Sequence, residues 1–275
     1  MKRILILGGS GFIGNALYRE LSPYYSTYAT YYASKQFKKN QHFYHFDHTQ
    51  EDVNEVLKKV KPKLIISAVR GAFDHQIDLH KQLVEHCKYF DCRLMFLSSS
   101  NVYDAFHNFP SYEFDKTLSE SVYGRLKIKI ENDIMRLSPS KYVIARLPMV
   151  FGLHSPRVKE MQEKIEQNEP IEVFPNTIIN LNSDRKLCQQ IHYIINQKLS
   201  GIFHLGTKDL ITHYDFHKRL AAKRAWNKVI FKQVYTTNDM RYIAVLPKEN
   251  KLPPHLLPSC DEILDDSHIA LADNE

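Results

Sequence analysis

The stretch ILILGGSGFIG, residues 4 to 14, limits what this chain can become more than any other feature. The protein has nine glycines in 275 residues, and Gly8, Gly9, Gly11 and Gly14 all fall inside it. The short β-type run before them reads as a strand buried on both faces of a parallel sheet. After them Phe12, Ile13, Ala16, Leu17 and Leu21 recur at helical spacing until Ser22 and Pro23 stop the pattern. The order strand, glycine turn, helix suits a dinucleotide. The turn is tight, the backbone can approach a pyrophosphate, and the helix start offers free N–H groups and partial positive charge. Gly8, Gly9, Ser10, Gly11, Phe12, Ile13 and Gly14 are therefore assigned to a cofactor.

An acidic residue about twenty positions further on would hold the adenosine ribose of NAD. None stands between Glu20 and Asp47; the second strand, STYATYYAS, runs instead towards Lys35, Lys38 and Lys39. A cation there favours a 2′-phosphate, which predicts NADP(H) in preference to NAD(H), with Lys35 as the contact.

The strand-helix rhythm continues through HFYHF, KLIISAV, RLMFLSSSNVY and KYVIARLPMVFG, with amphipathic helical stretches between them. Such alternation predicts an α/β fold: a doubly wound parallel sheet of Rossmann type, with a small C-terminal substrate-binding lobe. Ligands on these sheets sit beyond the carboxyl ends of strands, where Gly8, Asp47, Ala68, Ser99 and Pro148 all fall. The dinucleotide-binding domain is expected over 1–152, completed by about 181–206, and the smaller lobe over 153–180 and 207–275. The tail after Lys251, devoid of Lys and Arg, is expected to dock loosely or fray.

Composition narrows the function classes. No apolar run approaches the length of a bilayer span, and the basic start MKRILILGGSGF lacks a cleavage site, so a soluble cytoplasmic protein without a membrane partner is expected. A formal charge of +6 with no long Lys/Arg block gives no reason to expect nucleic acid. Four cysteines without metal spacing read as reduced thiols. His42, His45 and His48 alternate with aromatics as a strand does, and no metal site is expected.

Tyr-x-x-x-Lys occurs four times, at Tyr31/Lys35, Tyr112/Lys116, Tyr123/Lys127 and Tyr214/Lys218. Composition alone would supply about one or two, so context must choose. Only Tyr123 opens a long helix after a strand ending in serines, and a four-residue step puts Tyr123 and Lys127 on one helix face.

GGSGFIG, LSSSNVY, YGRLK and RLPMVFG, in this order and spacing, resemble the extended short-chain dehydrogenase/reductases, and within them the dTDP-4-dehydrorhamnose reductase branch. The resemblance spans roughly residues 2 to 225. It implies a catalytic set of Ser99, Tyr123 and Lys127, with Tyr123 as proton donor to a carbonyl and Lys127 also on the nicotinamide ribose. It further implies cofactor contacts from Asp47, Ala68, Val69, Pro148 and Val150, and substrate contacts from Arg70, Ser100, Asn101 and Arg146. Glu113 and Asp115 fit a family loop near the substrate, and Ser98 is expected to assist Ser99. The implied activity is NADP(H)-dependent reduction of a 4-keto nucleotide sugar, with a homodimer as the expected assembly. An epimerase with bound NAD(P) and a non-catalytic NADP-binding regulatory subunit stand as alternatives. Ser100 occupies the place of the branch's aspartate, which argues against a dehydratase.

Overall fold

Ile4, Leu5, Ile6 and Leu7 are completely buried because crossover helices cover the faces of the parallel sheet, in which their strand has a parallel neighbour on each edge. Ile4 lies beside Thr27 on one side and Leu64 on the other. The computed structural model describes residues 2–266. In chain order the elements begin with β1 (Arg3–Leu7), α1 (Phe12–Leu21), β2 (Ser26–Tyr31), β3 (Phe43–His45), α2 (Val53–Val60), β4 (Leu64–Ser67), α3 (Phe73–Tyr89) and β5 (Arg93–Ser99). Next come α4 (Val122–Ile134), β6 (Tyr142–Leu147), β7 (Met149–Phe151), α5 (Pro156–Glu166), β8 (Ile171–Val173), β9 (Thr177–Ile179), β10 (Leu181–Ser183) and α6 (Asp184–Asn196). They end with β11 (Gly201–His204), β12 (Ile211–Thr212), α7 (His213–Lys223), β13 (Phe231–Gln233), β14 (Arg241–Ile243) and α8 (Cys260–Asp265).

Seven strands form the main sheet in the order β11-β6-β5-β4-β1-β2-β3. The chain runs outward from β1 to β3 and then restarts at β4 on the other side of β1. The strand order therefore reverses between β1 and β4, the place where open sheets of this kind bind ligands. The expected doubly wound Rossmann sheet is what the chain forms.

The chain divides into two units. The first comprises residues 1–102, 119–146 and 191–203; the second comprises 103–118, 147–190 and 204–275. Leu5, Leu7, Ile65, Leu83, Phe96, Ile130 and Ile144 are central to the first core. Phe151, Val173, Leu181, Phe216, Leu220 and Leu264 are central to the second. The second unit carries three small sheets, β7 with β10, β9 between β12 and β14, and β8 with β13.

The expected loose tail is corrected up to Asp266. Ser259 and Glu262 make a reciprocal capping box at the start of α8, and Cys260, Ile263 and Leu264 are buried in the second unit's core. The rest of the tail lies outside the described residues. Among those residues no helix is long and apolar enough to cross a membrane.

Candidate active site

The glycine turn is tied to the neighbouring strand by its backbone. The Gly8 amide donates to Thr30 Oγ1 at 2.9 Å, Ser10 N to Thr30 O at 3.2 Å, and Gly11 N to Gly8 O at 3.1 Å. A Cβ on Gly14 would sit 2.2 Å from the Gly8 carbonyl oxygen, so α1 can lie this close to the turn only with glycine there. Gly11 occupies the cap position of α1 with no side-chain hydrogen bond, and the first turn contains no acidic residue. The amide groups at this helix start thus keep their affinity for an anion. These features fit the pyrophosphate of a dinucleotide.

Beside the turn, Ser67 of β4 pairs with Leu7 of β1, so Ala68 follows next to Gly8. Val69 is buried and Arg70 exposed. The Ser67 hydroxyl lies 2.9 Å from Nε2 of the fully buried His80, whose Nδ1 lies 2.6 Å from the Gln76 carbonyl. With Nδ1–H donating, Nε2 accepts from Ser67. Burial pulls His80 down to about 3, so this ring is neutral and braces the end of β4. Gln76 Nε2 also donates to the Gly71 carbonyl and holds the loop that carries Arg70.

Lys35 is exposed at the start of a single 3₁₀ turn, Lys35–Phe37, after β2. Asp47 follows β3, but its carboxylate closes its own turn. Its Oδ1 accepts from Thr49 Oγ1 at 2.7 Å and from Thr49 N at 2.9 Å, and these bonds hold the carboxyl below its ordinary range. Each nearby histidine has a partner: His42 stacks on Tyr28, and His45 lies 3.1 Å from Glu51. His48 is held down chiefly by burial, against a bond to the Gly71 backbone.

β5 ends in Ser98 and Ser99, and Ser100–Tyr103 form a 3₁₀ turn. Ser99 Oγ donates to Asn101 Oδ1 at 2.9 Å and accepts from Asn101 N at 3.2 Å, so Asn101 fixes the direction of the hydroxyl. Ser121 caps α4 through Gly124 N at 3.0 Å, and Tyr123 sits half-buried in the first turn. A Cβ on Gly124 would lie 2.3 Å from the Asn101 carbonyl oxygen and 2.0 Å from Ser119 Oγ. The helix start therefore presses against the serine turn, and Tyr123 is carried there with it.

Lys127 follows one turn later, only 3% exposed. Its Nζ donates to the Leu97 carbonyl at 3.1 Å and lies 4.5 Å from the Phe96 ring centre and 5.5 Å from that of Tyr123. Burial lowers its pKa to about 8; Glu131 works against that shift and Arg70 adds to it. Lys35, Lys116 and Lys218 of the other three tyrosine–lysine matches are exposed. Burial singles out Tyr123/Lys127.

Two expected contacts are corrected. Arg146 is 2% exposed and grips Glu131, also buried, with Nη2 at 2.7 Å and Nε at 3.2 Å from both carboxylate oxygens. A guanidinium so enclosed is committed to an ion pair of the interior. Ser98 likewise turns inward and donates to Glu131 Oε1 at 2.5 Å, so it does not assist Ser99 at the reacting group. In the second unit Glu113 is buried and accepts from the amides of Lys248, Glu249 and Asn250, while Asp115 caps the Tyr112 amide at 2.7 Å. Glu113 is therefore committed to folding a loop. Pro148 precedes β7 and Val150 lies within it, paired with Asn182 of β10; both belong to the second unit. Ser100 is buried, at 6% exposure.

Glu131 and Gly124 escaped the sequence reading. A signal for the glutamate existed, since Tyr123, Lys127 and Glu131 continue one stripe at four-residue steps.

Comparison with known proteins gives a consistent picture. The family described as RmlD substrate binding domain matches residues 1–250. The zebrafish (Danio rerio) methionine adenosyltransferase 2 subunit beta is 23% identical over 240 residues, covering 78% of this chain and 71% of that protein. A dTDP-4-keto-6-deoxy-D-glucose reductase of Streptomyces niveus is 27% identical over 136 residues, covering 49% of this chain and 47% of that protein. Among solved structures, the dTDP-4-dehydrorhamnose reductase of Bacillus anthracis in complex with NADP superposes with a TM-score of 0.77 at 21% identity. That match covers 96% of this chain and 98% of the other.

Proposed function

The chain belongs to the RmlD substrate binding domain family, and from that premise we propose that it is an NADP(H)-dependent reductase of a 4-keto nucleotide sugar. The observation that carries the reading is the buried Lys127 under the Tyr123 ring, in the same unit as the glycine turn. A reductase needs a proton donor whose conjugate base is tolerable near neutral pH, and a free phenol near pKa 10 is too weak an acid. A cation beside the ring stabilises the phenolate.

The cofactor, when bound, supplies the hydride that reaches the carbonyl carbon. Tyr123 gives its phenolic proton to the carbonyl oxygen, so ketone, hydride and proton become a secondary alcohol. The phenolate is held by Lys127 and takes its proton back from solvent. Ser99 releases its single hydroxyl proton from Asn101 Oδ1 and donates it to the same oxygen as negative charge develops, while the Asn101 amide keeps its oxygen in place. Gly8 to Gly14 receive the pyrophosphate, Ala68 and Val69 flank it, and Asp47 stays near the adenine through its turn. Lys35 receives the 2′-phosphate; the lack of any carboxylate between Glu20 and Asp47 supports NADP(H) over NAD(H). Pro148 and Val150 are assigned to the carboxamide on family resemblance alone. Exposed Arg70 is assigned to the anionic nucleotide of the substrate.

The test is NADPH consumption across dTDP-, UDP- and GDP-linked 4-keto sugars, with Tyr123→Phe beside the parent. Turnover with one of them, lost in the variant, supports the reading; turnover retained in the variant removes Tyr123 as donor. A second reading, a cofactor-binding subunit without turnover, is favoured by the match to a methionine adenosyltransferase subunit. It predicts a stoichiometric partner on purification and no oxidation of NADPH by any sugar in the panel.

A further inference from the structure

Behind the Tyr123–Lys127 couple lies a second set of buried charges for which the reductase reading has no use. Glu131 stands one helical turn beyond Lys127 on the same face of α4. Its carboxylate receives Arg146 Nη2 at 2.7 Å, Arg146 Nε at 3.2 Å and Ser98 Oγ at 2.5 Å. Glu131 and Arg146 are 1% and 2% exposed, so neither charge is screened by water. The three partners come from α4, β6 and β5, and Ser98 is covalently next to Ser99.

We propose that Glu131 and Arg146 are positioning residues for the proton-transfer couple. They hold a paired negative and positive charge behind Lys127 that fixes how readily Tyr123 gives up its proton, and through Ser98 they anchor the turn that aims Ser99. The inference rests on the reading of Tyr123 as proton donor.

Charged and titratable groups around the couple come from several elements. Glu131 lies on its own helix, Arg146 on β6, His80 on α3, and Arg70 on the loop after β4. His80 is neutral above acidic pH, since burial pulls it to about 3. The fixed charges are then Arg70 and Arg146, both positive, against Glu131, while Lys127, with a pKa of about 8, loses its proton below the range of a phenol. Loss of Glu131's charge makes the surroundings more positive and favours phenolate. Loss of Arg146's charge does the opposite, because it leaves the Glu131 carboxylate without its counter-charge. A buried ion pair that serves only the fold predicts something else: both losses destabilise, and neither has an opposite sign.

The experiment is an ultraviolet phenolate titration of the full chain, read as the difference between each protein and its Tyr123→Phe counterpart. In Glu131→Gln the Tyr123 midpoint is expected to move down by about one pH unit, roughly tenfold in proton affinity. In Arg146→Met it is expected to move up by a similar amount, and in Glu131→Gln/Arg146→Met to return near the parent. Shifts of the same sign in the two single variants, or unmoved midpoints with only a lower melting temperature, overturn the proposal. Should the single variants not fold, Glu131→Asp keeps the charge but withdraws it by one methylene. It is expected to move the midpoint down by a fraction of a unit, and an unmoved midpoint there also overturns the proposal. The titration needs neither cofactor nor sugar. Turnover of a keto sugar with unmoved midpoints sinks the role of Glu131 and Arg146 alone, whereas shifted midpoints without turnover of any sugar sink the reductase reading alone.

Discussion

The ammonium of Lys127 lies 5.5 Å from the centre of the Tyr123 ring and donates to the Leu97 carbonyl at 3.1 Å. This lysine works at a cost to the fold. Its pKa of about 8, pulled from 10.5 mainly by burial, means that unfolding lets it bind its proton more tightly. By linkage the penalty is full below pH 8 and fades as pH rises towards 10.5. Lys127→Met is therefore expected to raise stability at pH 7 by up to about 3 kcal/mol while abolishing turnover. Its advantage over the parent should vanish near pH 10.5. Urea unfolding across that pH range checks both the sign and the window.

Gly124 sets the spacing between the helix start and the serine turn. In Gly124→Ala the new methyl would meet the Asn101 carbonyl oxygen at 2.3 Å and Ser119 Oγ at 2.0 Å, so α4 must back away. Displacement by about 1 Å is enough to cost roughly a hundredfold in turnover. The expected outcome is a folded protein with unchanged helix content and turnover reduced by at least about tenfold. Circular dichroism together with a rate measurement decides it.

Thr30 holds the glycine turn from the neighbouring strand through its 2.9 Å bond to Gly8 N. Thr30→Val keeps the β-branched shape and removes the acceptor. NADPH affinity is expected to fall by about five- to tenfold, the worth of one hydrogen bond, while the sheet remains intact. Calorimetric titration with NADPH measures it, and undiminished affinity would show that the turn needs no such tie.

Acid should weaken the second unit. His213 and His217 stack with ring centres 4.0 Å apart beside Phe174, Phe151 and Phe216. Burial pulls His213 to about 3 and His217 to about 4, with mutual repulsion adding at His213 and Arg157 adding at both. Unfolded histidine binds a proton near pH 6.5. Stability is therefore expected to fall as pH drops from about 6.5 towards 4, by the uptake of about two protons on unfolding. In His213→Phe this slope should shrink by about one proton, measured by chemical denaturation across the same range.

What could be read from the chain without coordinates was local. The strand before Gly8 and the helix after it follow from an apolar run, a glycine cluster and a periodic apolar face within 21 residues. Tyr123 and Lys127 were legible because their spacing and helical setting coincide. Glu131 was not, since a glutamate on an amphipathic helix normally faces water; only the return of Arg146 on a strand 15 residues later explains its burial. The same pairing misdirected the reading of Arg146 as a substrate contact. Residues 103–118 hid their membership of the second unit because they form no regular helix or strand beyond a 3₁₀ end and an isolated bridge. Phe109 and Phe114 there are 77% and 73% exposed, against every compositional expectation for phenylalanine. The tail misled in the other direction, its acidic residues masking the buried Cys260, Ile263 and Leu264 face of α8.

Each unit is assembled from three separate stretches of chain. Neither can be excised by two cuts or inherited as one continuous cassette, because any single segment that holds a whole unit also carries pieces of the other. A single pair of breakpoints therefore cannot exchange one unit and leave the other whole.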